Sequence, residues 1–166
     1  RARRLLLAAG LHNAVRCSFN PTAEGRYHRR PPNNRIGLGV TLPAMGGSLN
    51  PQHLIMAIGN GAYCGLIRLE DNTIDVAAAI HPSVLRQAES PARALSHLLS
   101  RAFLRTDCPI DCTSLNNMPI RATPQLTHQT PPVDPGCRKL FRIGDAVGYI
   151  EPFTGEGIGW ALLSAR

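Results

Sequence analysis

Residues 142–158, RIGDAVGYIEPFTGEGI, contain the residue types and spacing with the clearest chemical meaning. Gly144 ends a run that is typical of a strand, and a glycine there lets a ligand approach the backbone closely. Asp145 follows with a carboxylate that can accept hydrogen bonds from paired hydroxyl groups. Gly155 and Gly157 then open a helix, where free N–H groups and the helix dipole favour a phosphate. The segment therefore predicts a site for a polyol and a pyrophosphate together.

Each half of this segment has a simpler explanation when it is taken alone, because Gly-Asp can end a strand and Gly-x-Gly can turn a chain. Together, the two halves resemble the second FAD motif of the para-hydroxybenzoate hydroxylase-like flavoproteins, and most closely the geranylgeranyl reductase and related FAD-dependent monooxygenase branch. The resemblance covers residues 140–165. Its matching residues are Gly144, Asp145, Ala146, Pro152, Thr154, Gly155, Glu156, Gly157 and Ile158.

The resemblance implies a role for each part of the motif. Asp145 is expected to hydrogen-bond the ribitol chain of FAD, the segment around Pro152 to lie near the isoalloxazine, and residues 155–158 to face the flavin and the pyrophosphate. It further implies that NAD(P)H reduces the flavin. The reduced flavin then hydroxylates a small organic substrate, of aromatic, polyketide or isoprenoid type, or reduces an isoprenoid-like double bond. No residue is assigned as a catalytic base.

The sequence departs from the family pattern in two places, and both bear on whether the chain is a whole flavoenzyme. Residues 6–16 resemble a family strand that normally ends in Ala-Asp-Gly, but here Ala9 directly precedes Gly10. The first dinucleotide fingerprint, Gly-x-Gly-x-x-Gly, is also missing, since the pairs at 37/39 and 59/61 lack the third glycine and are interpreted as strand and turn glycines. We therefore expect a C-terminal-side fragment of a flavoenzyme. The alternative is a non-catalytic remnant or binding module that does not hold FAD alone.

The strands and helices expected around this segment indicate an α/β fold, α+β overall. A short apolar run at 5–9 suits a buried strand of a parallel sheet, and 139–143 suits a last strand. A meander is expected from four runs between them, at 35–42, 53–58, 62–70 and 73–80. Asn60-Gly61 suits a hairpin turn, Ser90-Pro91 a helix start, and 118–122 a further strand. The predicted architecture is a partial Rossmann-like FAD/NAD(P)-binding domain, residues 1–20 and 137–166, with an inserted antiparallel-sheet substrate domain, 30–136, covered by a helix.

Composition and residue spacing argue against several other classes of function. The net charge is +7 from 18 Lys and Arg against 11 Asp and Glu, but the arginines are not interleaved with aromatic residues, so a solvated basic face is favoured over nucleic-acid binding. No apolar stretch is long enough for a transmembrane segment, while peripheral membrane contact stays open. The five cysteines show no C-x-x-C spacing and the histidines no ligand spacing, which favours reduced thiols in a cytoplasmic protein and no metal site.

Overall fold

A computed structural model describes residues 4–8, 10, 34–45, 49–104, 108–129, 139–151 and 153–164. The chain divides into two compact units. Unit 1 comprises Arg1–Asn34 and Pro124–Arg166, and unit 2 comprises Arg35–Thr123.

Unit 2 is built on an antiparallel sheet whose strands follow the alternation of the sequence. Its strands are β2 (Ile36–Pro43), β3 (Ile55–Gly59), β4 (Ala62–Arg68), β5 (Thr73–Ile80) and β6 (Arg121–Gln125), in the order β3-β4-β5-β2-β6. Alternate apolar side chains enter the core, as Ile74 and Val76 of β5 show by being fully buried. The predicted hairpin turn between β3 and β4 is confirmed, and Gly61 there has a φ of 73°.

The expected four-strand meander is wrong in its order. Only β3, β4 and β5 follow one another, whereas β2 lies on the other side of β5, with Ile36 opposite Ile80 and Pro43 opposite Thr73. The tight turns at Gly61 and Asn72 force their flanking strands to be neighbours. The longer connection between β2 and β3, residues 44–54, imposes no such restriction.

Two helices of unit 2 lie between β5 and β6: α1 (Pro82–Gln87) and α2 (Pro91–Ala102). The predicted start of α2 is confirmed, since the Ser90 side chain accepts a hydrogen bond from the Arg93 amide at 3.2 Å. Leu95 and Leu99 are fully buried and the helix packs on β3 and β4, while His97 is exposed. Sequence reasoning missed α1, because six residues are too few to show helical periodicity.

The strand expected at 118–122 begins later than predicted. Met118 instead ends a 3-10 helix, Ser114–Asn117, and β6 begins at Arg121. Leu115 of the 3-10 helix is 1% exposed. Its burial draws this segment onto the core and delays the strand.

Unit 1 contains a parallel strand pair, β1 (Leu5–Leu7) and β8 (Leu140–Arg142), in which Leu5 is opposite Leu140. An antiparallel pair is formed by β7 (His128–Gln129) and β9 (Gly148–Tyr149), and α3 (Gly157–Ser164) follows. Parallel and antiparallel sheets with helices confirm the expected α/β class. Of the helices in the described ranges, none is long and apolar enough to cross a membrane.

Candidate functional site

The predicted Gly-Asp pair lies at the carboxyl edge of the parallel strand pair. The Ile143 amide donates to the Leu7 carbonyl at 3.0 Å, which extends the β1–β8 ladder one residue beyond β8. Gly144 follows immediately. In open α/β sheets, ligands bind outside the carboxyl ends of the strands. The structure thus puts Gly144 and Asp145 at an edge suited to a ligand.

Gly144 is required by the backbone. Its φ of 57° lies in the left-handed region, which residues with a side chain enter only with strain. From it a 3-10 turn runs over Gly144–Ala146, closed by a hydrogen bond from the Val147 amide to the Gly144 carbonyl at 3.0 Å. Ala146 is fully buried and anchors the turn, and Asp145 is half-buried beside it.

Electrostatics link Asp145 to a residue that sequence reasoning missed, Tyr149 on β9. Burial raises the pKa of the Tyr149 phenol, and the negative charges of Asp145 and Glu151 raise it further. The phenol therefore stays protonated at neutral pH and can donate a hydrogen bond. No donor to the Asp145 carboxylate is seen among the described residues. The signal for Tyr149 was weak, because a single tyrosine on a two-residue strand forms no pattern.

The start of α3 presents amides that the helix itself does not use. Gly155 has a φ of 73° and reverses the chain before the helix. The Trp160 amide donates to the Glu156 carbonyl at 3.0 Å. The amides of Gly157, Ile158 and Gly159 come earlier in the first turn, where an α-helix offers no carbonyl partner. The Glu156 carboxylate accepts from the Thr154 hydroxyl at 3.1 Å, a local contact at the helix start.

Packing among the described residues does not require glycine at positions 157 and 159. A β-carbon built on either glycine would meet no atom within 4 Å, and neither has a positive φ. Glycine is a poor helix former compared with alanine. Neither backbone conformation nor crowding by the described residues explains these two glycines.

The two halves of the predicted motif lie against each other in unit 1. Helix α3 packs on the 3-10 turn, and a β-carbon placed on Gly144 would lie 3.8 Å from Cβ of Ala161. Pro152 lies outside the described residues. The remaining predicted site residues, Gly144, Asp145, Ala146, Gly155, Glu156, Gly157 and Ile158, are all described, with Ala146 buried and residues 155–158 exposed.

The apolar residues of α3 do not form a buried face. Ile158 is 78% exposed and Leu162 is 68% exposed. The sequence of the helix, GIGWALLS, is apolar all round, so it gives no signal for which side packs inward. Ala161 is the half-buried residue that faces the turn, which a small side chain allows.

Comparison with known proteins finds no matching family model and no matching curated protein. Solved structures do match. A flavoprotein/dehydrogenase from Cytophaga hutchinsonii has a TM-score of 0.71 and 11% identity, covering 98% of this chain and 38% of its own. The myxobacterial chondrochloren halogenase CndH, an FAD-dependent halogenase, has a TM-score of 0.69 and 17% identity, with coverages of 99% and 38%.

A third similar structure is P. aeruginosa PqsL in complex with 2-aminobenzoylacetate, with a TM-score of 0.62 and 15% identity, covering 98% of this chain and 43% of its own. At these identities the likeness shows the fold alone. The chain has the fold of part of a flavoenzyme, and it spans about two fifths of the length of these proteins.

Proposed function

We propose that this chain contributes the ribitol- and pyrophosphate-binding part of an FAD site in a flavin-dependent oxidoreductase. In this proposal unit 1 belongs to the FAD-binding domain and unit 2 to the substrate-binding domain. The observation that carries it is the pair of glycines at the start of α3, Gly157 and Gly159, which packing among the described residues leaves unexplained.

The residues present fit the polar middle of FAD. Asp145 offers carboxylate oxygens to ribitol hydroxyls, and Gly144 keeps the strand end free of a side chain. The amides of Gly157, Ile158 and Gly159 and the dipole of α3 favour the negative pyrophosphate. Tyr149, held neutral by its surroundings, adds a hydrogen-bond donor beside Asp145. Pro152 is proposed to lie near the isoalloxazine, as the family resemblance implies.

When bound, FAD supplies the electron transfer, and the protein supplies binding and orientation. We propose NAD(P)H as the electron donor and a small organic molecule as the substrate. The reaction is hydroxylation of that molecule or reduction of an isoprenoid-like double bond, as in the monooxygenase and geranylgeranyl reductase branch that residues 140–165 resemble. That one of the similar solved structures is a complex with 2-aminobenzoylacetate is consistent with a small organic substrate.

The alternative is a non-catalytic module that does not hold FAD by itself. The missing Gly-x-Gly-x-x-Gly fingerprint favours it, because that motif normally binds the ADP half of FAD. The two hypotheses differ in whether the 166-residue chain binds FAD on its own.

A titration of the purified chain into FAD, followed by flavin fluorescence anisotropy, tests the proposal. Asp145→Ala removes a charged hydrogen-bond acceptor, so we expect the Kd to rise about tenfold or more, given about 1.5–3 kcal/mol for such a bond. Glu70→Ala is the matched control, since it removes an exposed carboxylate of unit 2. Equal affinity of the Asp145 variant and the native chain would refute the assignment, and absence of FAD binding would select the module.

A further inference from the structure

Two cysteines of unit 2 lie close together in a segment far from the candidate flavin site in sequence. The Sγ atoms of Cys108 and Cys112 are 3.8 Å apart, and both side chains are half-buried. A disulfide needs a sulfur separation of about 2 Å. The two sulfurs are thus already near each other, and a further approach of about 2 Å would form the bond.

The backbone between these cysteines is held in place on both sides. The Met45 amide donates to the Pro109 carbonyl at 3.0 Å, and Ile110 is 2% exposed in the core. The Asp111 carboxylate accepts from the Thr113 amide at 2.8 Å and from the Thr113 hydroxyl at 2.7 Å. These contacts hold the two thiols near each other without a disulfide between them.

A third thiol, Cys64 on β4, lies near this pair but differs from it in access. Cys64 has no exposed surface, and burial raises the pKa of its thiol to about 12, with the neighbouring cysteines adding to the effect. A thiol with no exposed surface is inaccessible to oxidants. Within the described ranges, no three His, Cys, Asp or Glu side chains converge to hold a metal ion. The arrangement favours thiol redox chemistry at Cys108 and Cys112, and not at Cys64.

We propose that Cys108 and Cys112 are a modification site, a dithiol that hydrogen peroxide closes to an intramolecular disulfide. The Cys108 sulfur attacks one peroxide oxygen and breaks the O–O bond, and the thiol proton joins the released hydroxide, giving a sulfenic acid and water. The Cys112 sulfur then attacks the Cys108 sulfur and displaces a second water as the S–S bond forms. Two thiols lose two electrons in total, and one peroxide is reduced to two waters.

Burial, together with the neighbouring Cys108 and Asp111, raises the pKa of Cys112 to about 12. Because a raised pKa makes the Cys112 thiol a poorer first nucleophile, Cys112 acts as the resolving thiol in this scheme and Cys108 is oxidised first. A thiol reducing agent reverses the reaction by thiol–disulfide exchange.

Peptide mass mapping of the intact chain tests the proposal. The chain is treated with hydrogen peroxide, unfolded, alkylated with iodoacetamide and digested with trypsin. Residues 106–121 form one tryptic peptide that contains both cysteines, whereas Cys64 falls in the peptide 36–68. We expect the first peptide to lack alkylation and to be about 2 Da lighter than its reduced form, which is the loss of two hydrogens. The second peptide should be alkylated.

Cysteine variants test which of the neighbouring thiols form the disulfide. Cys108→Ser and Cys112→Ser should each abolish the mass loss, and Cys64→Ala should retain it. Because the primary result comes from the unmodified chain, it does not depend on any variant folding. Recovery of residues 106–121 alkylated at both cysteines after peroxide treatment would overturn the proposal. A crosslink between that peptide and 36–68 would overturn it as well, because it would make Cys64 a partner.

Discussion

Gly144 is needed for the backbone conformation and, through it, for the position of Asp145. The positive φ lets the chain leave β8 in a tight 3-10 turn, and that turn places Asp145 beside the fully buried Ala146. A β-carbon on Gly144 would meet Ala161 only at an ordinary contact distance, 3.8 Å. The need for glycine at this position therefore comes from its φ and not from crowding.

Gly144→Ala is expected to lower the free energy of unfolding by about 1–2 kcal/mol, the strain of a left-handed alanine. Urea denaturation measures the change. Gly144→Asn should lose less, because asparagine tolerates this region better. An alanine variant as stable as the native chain would show that the turn does not need its positive φ.

Cys64 couples stability to alkaline pH. Burial raises its pKa from the ordinary value of 9.0 to about 12 in the folded chain. Above pH 9 the unfolded chain releases this proton while the folded chain keeps it, so the stabilising contribution is complete below pH 9 and is lost as the pH rises toward 12. The contribution amounts to at most about 4 kcal/mol.

Urea denaturation at a series of pH values checks this expectation, with Cys64→Ala as the reference. The difference in unfolding free energy between the native chain and the variant should be constant below pH 9 and should shrink above it. Cys108, Cys112 and Asp111 remain in the variant, so their titration largely cancels. A difference that is independent of pH up to 12 would contradict the buried-thiol description.

In helix α3, the effect of a substitution on stability can be separated from its effect on FAD binding. Alanine is a better helix former than glycine, so Gly157→Ala should leave the free energy of unfolding unchanged or raise it by up to about 1 kcal/mol. The added methyl group lies beside the amides proposed to face the pyrophosphate, so FAD affinity should fall about fivefold, the loss of about 1 kcal/mol.

Anisotropy titration and urea denaturation of the same variant give the two readouts. Gly39→Ala in β2 is the matched control, because its β-carbon also meets nothing within 4 Å and it lies in unit 2. If Gly157→Ala binds FAD as tightly as the native chain, the α3 amides are not part of the site.

Elements with strong local signals could be predicted from the sequence. The bounds of β5 follow from its turn at Asn72 and its apolar alternation, and the start of α2 follows from Ser90 and Pro91. Sheet order could not be predicted, because the residues between β2 and β3 carry no turn signal that fixes their pairing. The half-buried face of α3 could not be predicted either, since a helix that is apolar all round has no amphipathic stripe.

The candidate site was predictable in part. The Gly-Asp pair after a strand and the glycines before a helix are local patterns, and the structure packs the two segments against each other. Tyr149 was missed because its place depends on the pairing of β9 with β7, which brings together segments distant in sequence. The pairing of β1 with β8 was equally out of reach of local patterns, although both strands were expected.

For the chain as a whole, fold and function rest on different kinds of support. The fold agrees with part of several flavoenzymes at 11% to 17% identity, while the proposed cofactor contacts depend on residues of unit 1 alone. Unit 2 has its own core and its own pair of neighbouring thiols. Flavin binding and thiol oxidation can therefore be measured in one protein as separate properties.

The most direct measurement is an NMR titration of the isotopically labelled chain with FAD, observing backbone amides. The account predicts the largest shifts at Gly144, Asp145 and Ala146 and at Gly157, Ile158 and Gly159, with unit 2 core amides such as Leu66 and Ile74 unchanged. Binding that shifts only one of the two segments, or that shifts unit 2 amides instead, would contradict the claim that Asp145 and the α3 amides hold one flavin nucleotide.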